Sequence, residues 1–401
     1  MANAPGRNIV LGVTGGIAAY KAAELTRELI RGGFEVQVVM TESARGFVTP
    51  ETFQALSANP VYTDMWDSRV RDNMAHIALS RGRDAIVVAP ATADFIAKLA
   101  HGLADDLLSA LCLARACPLI VAPAMNREMW DNAATRRNIE QLIRDGVAIL
   151  GPASGDQACG ETGLGRMVEA REIAEAVAVL LAPKLLHGAR VLVTAGPTFE
   201  AIDAVRGITN QSSGKMGYAV ARAAREAGAG VTLISGPTTL AAPLGVERVD
   251  VVSAREMFEA VKKRVPGADI FISVAAVGDY RVTNPRQHKI KKDGRNLRLE
   301  LTPNPDILAW VAGRPRPPFC VGFAAESEKL REHAEAKRRA KKVPLLAANL
   351  VQSAVGADDN EVMLLDDRGS HKLARAPKET IARQLIAHVA KLYKKTGSRK
   401  R

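Results

Sequence analysis

Residues 8–33 read NIVLGVTGGIAAYKAAELTRELIRGG, and they indicate the class of fold of the first half of the chain. Asn8–Val13 is a short apolar run of the kind that forms a buried strand, and the glycines of Thr14–Gly16 end it in a turn. Apolar residues then recur at helical spacing over Ile17–Arg31, and Gly32-Gly33 stops the helix. The stretch therefore predicts the strand, turn and helix that open an α/β sheet.

The same order of elements begins again at Arg190–Thr194, where a strand is followed by a Gly/Ser loop and the helix Met216–Ala227. Pro183–Gly188, just before this second start, has the composition of a linker. Further strands are predicted at Glu35–Met40, Ala85–Ala89, Leu119–Ala122, Val147–Leu150, Val231–Ile234, Ile270–Val274, Phe319–Phe323, Leu345–Ala348 and Val362–Leu365, and a last helix at Pro377–Leu392. The alternation predicts two consecutive Rossmann-like α/β domains with parallel sheets, residues 1–187 and 188–401.

Composition and charge narrow the class of protein. The chain of 401 residues is 47% hydrophobic, which is typical of a soluble globular enzyme. No apolar run approaches the ~20 residues that span a bilayer, and Met1–Asn8 holds no hydrophobic signal segment. Its four cysteines lack the spacing of a disulfide framework or a metal site. We therefore expect a cytoplasmic protein without a membrane partner.

The net charge of +12 raises the question of nucleic-acid binding. Much of the excess lies in Lys391–Arg401 and in Lys337–Lys342, and no helix-turn-helix, RNP or zinc-finger pattern accompanies it. Phosphorylated small molecules explain the charge more economically. We therefore expect no nucleic-acid partner, and a basic RNA-associated protein is the weaker alternative.

Three predicted sheet edges in the first half suit a mononucleotide. Thr14–Ile17 can direct backbone N–H groups and a helix dipole at a phosphate, and Thr41–Ser43 and Ala89–Asp94 follow the next strands. The turn is not GxGxxG, and no acidic residue follows where a ribose diol would need one. A mononucleotide therefore fits better than NAD, although such glycines often serve turn geometry alone.

Two further motifs belong to the same edge. Pro123–Trp130 reads PAMNREMW directly after an apolar run and presents Asn126. Cys159 follows thirty-three residues later, on the Gly-rich loop Ala158–Gly163. A turn asparagine and an inert thiol are the simpler interpretations of each motif alone. Together they predict a site where a mobile thiol covers a strand end.

These motifs, with His76–Leu79 and Ala91–Leu108, resemble the flavin-dependent phosphopantothenoylcysteine decarboxylases over about residues 7–180. The resemblance implies that His76 positions or deprotonates the substrate, Asn126 holds its carboxylate, and Cys159 is the acid that protonates carbon after CO₂ is lost. It implies FMN as cofactor and hydride acceptor. The implied FMN-binding residues are Gly15, Gly16, Ile17, Thr41, Ser43, Thr92, Ala93, Asp94, Phe95 and Ala124. One departure is Ala170, where the family usually has proline.

In the second half, Ser212–Gly217 looks like a P-loop but fails as one. Thr209 stands where the first glycine of GxxxxGK[ST] belongs, and Met216 replaces the magnesium-binding hydroxyl. What remains is Arg206–Gly217, a polar loop that enters a helix at its positive end.

This loop resembles the anion-binding loop of phosphopantothenate–cysteine ligases, and the rest of that pattern follows in order. The matching segments are Asp203, Ala275–Arg281, Lys289–Lys292, Asn304–Ile307, Gly322–Glu326 and Ala348-Asn349. The resemblance implies that Lys289 stabilises developing phosphate charge and that Asn210 and Arg206 hold an acyl-cytidylate. The implied CTP-binding residues are Ser273, Val274, Ala275, Asp279, Lys289, Asn304, Pro305, Asp306, Ile307, Phe323, Lys337 and Lys341. Departures from the pattern occur at Pro197, Ala204, Gly278 and Pro344.

Lys337 and Lys341 lie one turn apart on a helix predicted over Ser327–Lys341, so they share a face. A solvated basic face is the simpler interpretation of that pair. Mg²⁺ is expected with the triphosphate, although no acidic cluster marks metal ligands in the sequence.

A decarboxylase followed by a ligase resembles the bacterial bifunctional proteins of coenzyme A biosynthesis over essentially the whole chain. The resemblance implies 4′-phosphopantothenate, cysteine and CTP as substrates and 4′-phosphopantetheine as final product. It also implies a homo-oligomer, a dodecamer that combines trimeric decarboxylase domains with dimeric ligase domains. The alternative from another class is a non-catalytic flavoprotein that regulates or scaffolds another protein.

Overall fold

The computed structural model describes residues 7–70, 74–291, 296–326, 328–350 and 357–398. It divides into two compact units, Met1–Leu181 and Ala182–Arg401, six residues before the boundary predicted from the sequence. Pro183–Gly188 belongs to the second unit. Leu186 is buried in that unit's core, and its N–H donates to the carbonyl of Ala227 (2.8 Å).

The first unit is built on a parallel sheet. Its strands are β1 (Arg7–Val13), β2 (Phe34–Met40), β3 (Ala85–Ala91), β4 (Leu119–Pro123) and β5 (Ala148–Ile149). They lie in the order β2-β1-β3-β4-β5, and every pair is parallel. β3 and β4 are buried along their whole length, as strands covered on both faces must be. The carboxyl ends of all five strands therefore lie at one edge.

Helices cover both faces of this sheet. They are α1 (Ala19–Arg31), α2 (Pro50–Ser57), α3 (Ala75–Ser80), α4 (Ala93–His101), α5 (Leu107–Leu113), α6 (Arg127–Asp131), α7 (Ala133–Arg144) and α8 (Ala170–Leu181), with a 3-10 turn at Glu42–Gly46. Alternate residues of β1 serve opposite faces: Leu11 packs in one core with α1 and α8, and Val10 in the other with α3, α4 and α5.

An antiparallel hairpin, β6 (Ala153–Asp156) and β7 (Thr162–Arg166), stands where the sequence indicated only a Gly-rich loop. Its base rests on the segment after β4. The N–H of Met125 donates to the carbonyl of Gly165 (2.9 Å). Gly165 has φ +142°, and a Cβ there would lie 2.4 Å from the carbonyl oxygen of Met125, so only glycine fits. The hairpin carries Cys159 at its tip.

The strands of the second unit are β8 (Arg190–Ala195), β9 (Phe199–Ala201), β10 (Gly207–Thr209), β11 (Gly230–Ser235), β12 (Glu247–Asp250), β13 (Ile270–Ser273), β14 (Tyr280–Val282), β15 (Leu301–Pro303), β16 (Phe319–Glu326), β17 (Leu345–Leu350), β18 (Asp359–Asp366) and β19 (Gly369–Pro377). The main sheet has the order β12-β11-β8-β13-β16-β17-β18-β19. Two small antiparallel pairs, β9 with β10 and β14 with β15, stand outside it.

The sequence predicted a parallel strand at Val362–Leu365, and this was wrong. β18 runs antiparallel to β17, and β19 antiparallel to β18. Eight residues separate β17 from β18 and two separate β18 from β19. A parallel crossover needs a dozen or more residues, so both connections dictate antiparallel pairing. The six strands from β12 to β17 pair in parallel, as predicted.

The helices of the second unit are α9 (Lys215–Glu226), α10 (Ala254–Arg264), α11 (Ile307–Ala312), α12 (Leu330–Ala340) and α13 (Lys378–Ser398), with a 3-10 turn at Val265–Gly267. α9 and α13 pack on one face of the sheet, and α10, α11 and α12 on the other. The predicted start of α12, Ser327, lies outside the described residues. Within the described parts of the chain, each helix is too short or too polar to cross a lipid bilayer.

The predicted class, α/β with two consecutive domains built on parallel sheets, is confirmed.

A buried ion pair joins the two helices on one face of the second sheet. Arg383 of α13 contacts Glu226 of α9 through Nε (2.7 Å) and Nη2 (3.1 Å), and the Glu226 side chain is 4% exposed.

We expect Glu226→Ala to lower the free energy of unfolding of the second unit by about 3 kcal/mol, because it removes the buried carboxylate that pairs with the Arg383 guanidinium. Urea denaturation followed by circular dichroism measures the change. Glu259→Ala is the matched control: Glu259 forms an exposed pair with Lys262, and its loss should cost well under about 1 kcal/mol. Equal effects of the two substitutions would contradict the argument.

Candidate active sites

A cavity of about 630 Å³ opens at the carboxyl edge of the first sheet. It is formed by the turn after β1, the start of α4, the segment after β4 and the β6–β7 hairpin. The lining residues are Gly15, Gly16, Ile17, Ala18, Tyr20, Lys21, Thr92, Ala93, Ala124, Met125, Asn126, Met129, Asp156, Gln157, Ala158, Cys159, Gly165, Arg166 and Met167. Its volume suits a mononucleotide or a ligand of similar size.

Side chains and glycines fix the loops around this cavity. Thr14 Oγ1 donates to the carbonyl of Pro90 (2.8 Å) and accepts from the N–H of Thr92 (3.0 Å), which ties the end of β1 to that of β3. A Cβ on Gly15 would lie 2.4 Å from the Cβ of Ser43, so the close approach of these two loops requires glycine. The result is a narrow backbone cradle at the start of α1.

Six of the ten predicted flavin-binding residues line the cavity: Gly15, Gly16, Ile17, Thr92, Ala93 and Ala124. The other four lie beside it. Thr41 and Ser43 pair through their hydroxyls (3.1 Å) behind Gly15, and Asp94 is exposed and 4.0 Å from the Lys98 ammonium. Phe95 packs in the core with 1% exposure, while its N–H donates to Thr92 Oγ1 (3.3 Å) and so caps α4.

The amide of Asn126 is the polar centre of the cavity wall. Its Oδ1 accepts from the N–H of Glu128 (2.8 Å) and caps α6, which fixes the side chain. Its Nδ2 then points at the hairpin, 3.4 Å from Cys159 Sγ and 2.5 Å from Glu161 Oε2. The structure thus brings together two residues that are thirty-three positions apart in the sequence.

Two residues that the sequence did not single out complete this network. Gln157 Oε1 accepts from the N–H of Arg127 (3.0 Å) and from Asn126 Nδ2 (3.3 Å), while its Nε2 donates to the carbonyl of Leu164 (3.1 Å). Glu161 Oε2 lies 3.7 Å from Cys159 Sγ. Gln157 therefore holds the hairpin closed, and Glu161 gives the Asn126 amide a carboxylate partner. Their position beside Cys159 was the signal available in the sequence.

His76 does not line this cavity. It lies on α3, on the sheet face that carries α4 and α5. The ring is half-buried, and its Nδ1 is buried without a hydrogen-bond partner among the described residues. The cavity within one chain therefore holds Asn126 and Cys159 but lacks the third predicted catalytic residue of the first half.

The four thiols differ sharply. Burial raises the pKa of Cys112 to about 12 and that of Cys320 to about 12, and it also raises the pKa of Cys117. Cys159 is the exposed thiol of the four. It is therefore the thiol that a reagent or a substrate can reach.

The predicted ligase residues gather at the carboxyl edge of the second sheet. Asn210 Nδ2 donates to the carbonyl of Ala276 (2.8 Å), just after β13 and the predicted residues Ser273, Val274 and Ala275. Asn304 Nδ2 donates to the carbonyl of Gly278 (2.8 Å), and its N–H donates to that of Asp279 (2.8 Å). Three loops that are distant in sequence are thereby fixed around the end of one strand.

A buried carboxylate organises the loop that carries Lys289. Asp203 accepts from the N–H groups of Ile290 (3.0 Å), Val205 (2.8 Å) and Arg206 (2.8 Å), and these donors hold its pKa below the usual value. Arg206 also donates to the carbonyl of Ile290 (3.3 Å). Arg206 and the exposed Lys289 are therefore held next to each other. Lys292, the last residue of that motif, lies outside the described residues.

The remaining predicted CTP residues occupy neighbouring positions. Asp306 caps α11 through the N–H of Ala309 (2.9 Å), which sets the turn formed by Asn304, Pro305, Asp306 and Ile307. Lys341 ends α12 and lies 3.1 Å from Asp306, whereas Lys337 lies 2.8 Å from Glu326 at the end of β16. Phe323 is on the same strand. The two lysines thus have carboxylate partners and do not form a purely solvated face.

Comparison with known protein families gives a separate match for each half of the chain. Residues 2–182 match the model of the Flavoprotein family, and residues 186–393 match that of the DNA/pantothenate metabolism flavoprotein C-terminal domain. The chain is 47% identical to the coenzyme A biosynthesis bifunctional protein CoaBC of Vibrio cholerae, over 95% of this chain and 97% of that protein. It is 44% identical to the CoaBC protein of Escherichia coli K12, over 98% and 99%. A crystal structure of the C-terminal domain of CoaBC is 37% identical over 53% of this chain and 99% of that chain, with a TM-score of 0.46.

The first unit is a flavoprotein domain, and the chain as a whole pairs it with the C-terminal domain of pantothenate metabolism flavoproteins. The chain belongs to the family of coenzyme A biosynthesis bifunctional proteins. The family assignment made from the sequence is thereby confirmed, as is the expectation of a bifunctional enzyme of coenzyme A biosynthesis that joins a decarboxylase to a ligase. The non-catalytic alternative is not favoured.

We expect iodoacetamide at pH 8 to alkylate Cys159 first in the native protein. A thiol of pKa about 12 is only about one part in 10⁴ thiolate at that pH, so Cys112 and Cys320 should react only after unfolding. Peptide mass spectrometry locates the label. Cys159→Ser should remove the fast label, and fast labelling of Cys112 in native protein would contradict the burial argument.

Proposed function

We propose that the first unit binds FMN and decarboxylates 4′-phosphopantothenoylcysteine to 4′-phosphopantetheine. The observation that carries the proposal is the position of the Asn126 amide. Its Nδ2 lies 3.4 Å from Cys159 Sγ and already donates a hydrogen bond to a carboxylate, that of Glu161. An amide fixed by its helix cap can hold the carboxylate of a substrate in the same way. The thiol beside it would then face the carbons next to that carboxylate.

The cavity fits FMN. Its volume of about 630 Å³ is sufficient, and the Gly15 cradle, which a Cβ would fill, presents backbone N–H groups near the start of α1. Gly16, Ile17, Thr92, Ala93 and Ala124 would hold the cofactor. When bound, FMN would accept a hydride from the thiol-bearing carbon of the substrate, while the thiol proton passes to a base, the role implied for His76, and the hydride would return after CO₂ has left.

The side chains of this unit would supply the remaining steps. Simple loss of CO₂ would leave an unstabilised carbanion, so the carboxylate must be held until the thiol-bearing carbon, one position further along the substrate, has been oxidised. Asn126 holds it. Loss of CO₂ leaves an enethiolate. Cys159 Sγ then donates a proton to the carbon that carried the carboxylate.

We further propose that the second unit joins cysteine to 4′-phosphopantothenate at the expense of CTP. A carboxylate must gain a leaving group before an amine can attack it, and a cytidylyl group supplies one with loss of pyrophosphate. Lys289 would stabilise the charge that develops on phosphate, and Arg206 and Asn210 would hold the acyl-cytidylate. Asp279, the Asn304–Ile307 turn, Phe323, Lys337 and Lys341 would bind CTP, with Mg²⁺ on its phosphates.

The position of His76 supports an assembly of several chains. His76 lies outside the cavity of its own chain, while Ile17 (62% exposed), Tyr20 (61%) and Met129 (48%) present apolar surface beside that cavity. A neighbouring chain packed on these residues would cover them and bring its own His76 to the site. Trimeric first units combined with dimeric second units would close into a dodecamer.

One incubation tests both activities, with 4′-phosphopantothenate, cysteine, CTP and Mg²⁺ followed by mass spectrometry. We expect Cys159→Ser to release CO₂ once and to accumulate the oxidised enethiol, with formation of 4′-phosphopantetheine reduced about 100-fold or more, because a hydroxyl is a far weaker acid than a thiol. Asn126→Asp should block before CO₂ loss, because two carboxylates repel each other.

Ligation should be unchanged in both variants. Lys289→Ala is the reciprocal control: it should stop ligation and leave decarboxylation of supplied phosphopantothenoylcysteine intact. Full turnover by Cys159→Ser would make Cys159 a structural thiol. Flavin absorbance without turnover in the wild-type protein would favour a non-catalytic flavoprotein.

The assembly is tested by co-expressing His76→Ala and Cys159→Ser chains. If a site combines Cys159 of one chain with His76 of the next, random mixing makes about a quarter of the sites fully wild type. Decarboxylation should therefore recover to about a quarter of the wild-type rate, although each variant alone is inactive. No recovery in mixed oligomers would place His76 in the site of its own chain, and a monomer in light scattering would exclude the assembly.

A further inference from the structure

A cluster of chemically active side chains lies in the second unit, away from the candidate ligase site of that unit. Asp366 ends β18, His371 lies on β19, and His388 lies on α13. Leu365 pairs with Leu346 near the start of β17, so this cluster is at the opposite edge of the sheet from the carboxyl ends that carry the ligase residues. In the described part of the second unit, the hydrogen bonds and ion pairs of the cluster involve none of the residues assigned to ligation.

The three side chains converge on one point. Asp366 Oδ2 lies 2.8 Å from His388 Nε2 and 3.2 Å from His371 Nε2, and the three potential ligand atoms lie within 4.8 Å of one another. The carboxylate is 1% exposed in its side chain, whereas the two rings are 18% and 40% exposed. Its other oxygen, Oδ1, accepts from the N–H of Arg368 (2.7 Å), which fixes the orientation of the carboxylate.

One of these contacts is incomplete as a hydrogen bond. His371 Nε2 is buried and, among the described residues, makes no hydrogen bond of acceptable geometry, although it faces a carboxylate oxygen. Its ring also lies 4.8 Å from that of His388, centroid to centroid. His371 Nε2 therefore lies beside the Asp366 carboxylate without a hydrogen-bond partner among the described residues.

We propose that Asp366, His371 and His388 bind one divalent transition-metal ion of the zinc type. Two imidazoles and one carboxylate are a common zinc ligand set, with bonds of about 2.0–2.2 Å and a fourth position open to water. Ligands set this far apart need only small side-chain movements to reach those bond lengths. Imidazole nitrogens favour zinc over magnesium or calcium, which prefer sets composed of oxygen.

The ligands come from three elements, and this gives the metal a structural consequence. It would fasten the antiparallel pair β18–β19 to α13, the helix that packs against α9 on the sheet. The N–H of Arg368 on Oδ1 provides the outer hydrogen bond that orients a ligating carboxylate. Metal bound to the folded state alone would then stabilise the second unit.

Calorimetric titration of the metal-stripped full-length protein with ZnCl₂ tests the proposal. The protein carries Cys159→Ser so that its exposed thiol cannot bind zinc. We expect one Zn²⁺ per chain, a melting temperature that rises with zinc, and little response to MgCl₂. His371→Gln should weaken zinc binding at least about tenfold and abolish the rise in melting temperature.

His371 is partly exposed, so this variant should fold, and an unchanged melting temperature without zinc verifies that. His101→Gln, which removes an exposed histidine of the first unit, is the matched control and should bind zinc as before. Equal zinc affinity with and without His371, or no stoichiometric binding, would reduce the cluster to a carboxylate hydrogen-bonded to His388 and overturn the proposal.

Discussion

Both candidate sites depend on one constraint of parallel sheets, that the carboxyl ends of all the strands lie at the same edge. Residues that are far apart in sequence meet there because the topology of the sheet brings the strand ends together. Thr14 joins the loops after β1 and β3, and Asn210 joins the glycine-rich loop to the segment after β13. In each case a short polar side chain adds a hydrogen bond to a backbone carbonyl near the carboxyl end of a strand and so fixes two loops to each other.

This constraint explains which parts of the fold could be predicted. Strands that are buried on both faces read as continuous apolar runs, so β1, β3 and β4 were evident from the sequence. β6 and β7 were not, because the glycines and exposed polar residues of such a short pair give no alternating pattern. The direction of β18 was missed because periodicity identifies a strand without its partner, whereas the short connection determines the pairing.

The candidate active site of the first unit was also predictable only in part. The proline turn that presents Asn126 and the glycine loop that carries Cys159 each predicted a position at the sheet edge, and the structure places them 3.4 Å apart. Gln157 and Glu161 gave no separate signal, because their importance comes only from the hairpin that turns them toward Asn126. The location of His76 could not be read from its motif either. A sequence motif indicates the chemical role of a residue, whereas the packing of α3 determines which surface the His76 ring faces.

The contact between Glu161 and Asn126 has a physical consequence for binding. Nδ2 of Asn126 has two N–H groups, and in the described structure it faces Gln157, Cys159 and the Glu161 carboxylate. A carboxylate that binds at this amide would therefore displace Glu161, because two carboxylates at one amide repel each other. The Glu161 carboxylate would then also leave the Cys159 thiol, whose Sγ lies 3.7 Å from its Oε2. Occupation of the Asn126 amide and the surroundings of the Cys159 thiol are thus coupled through a single side chain on the hairpin.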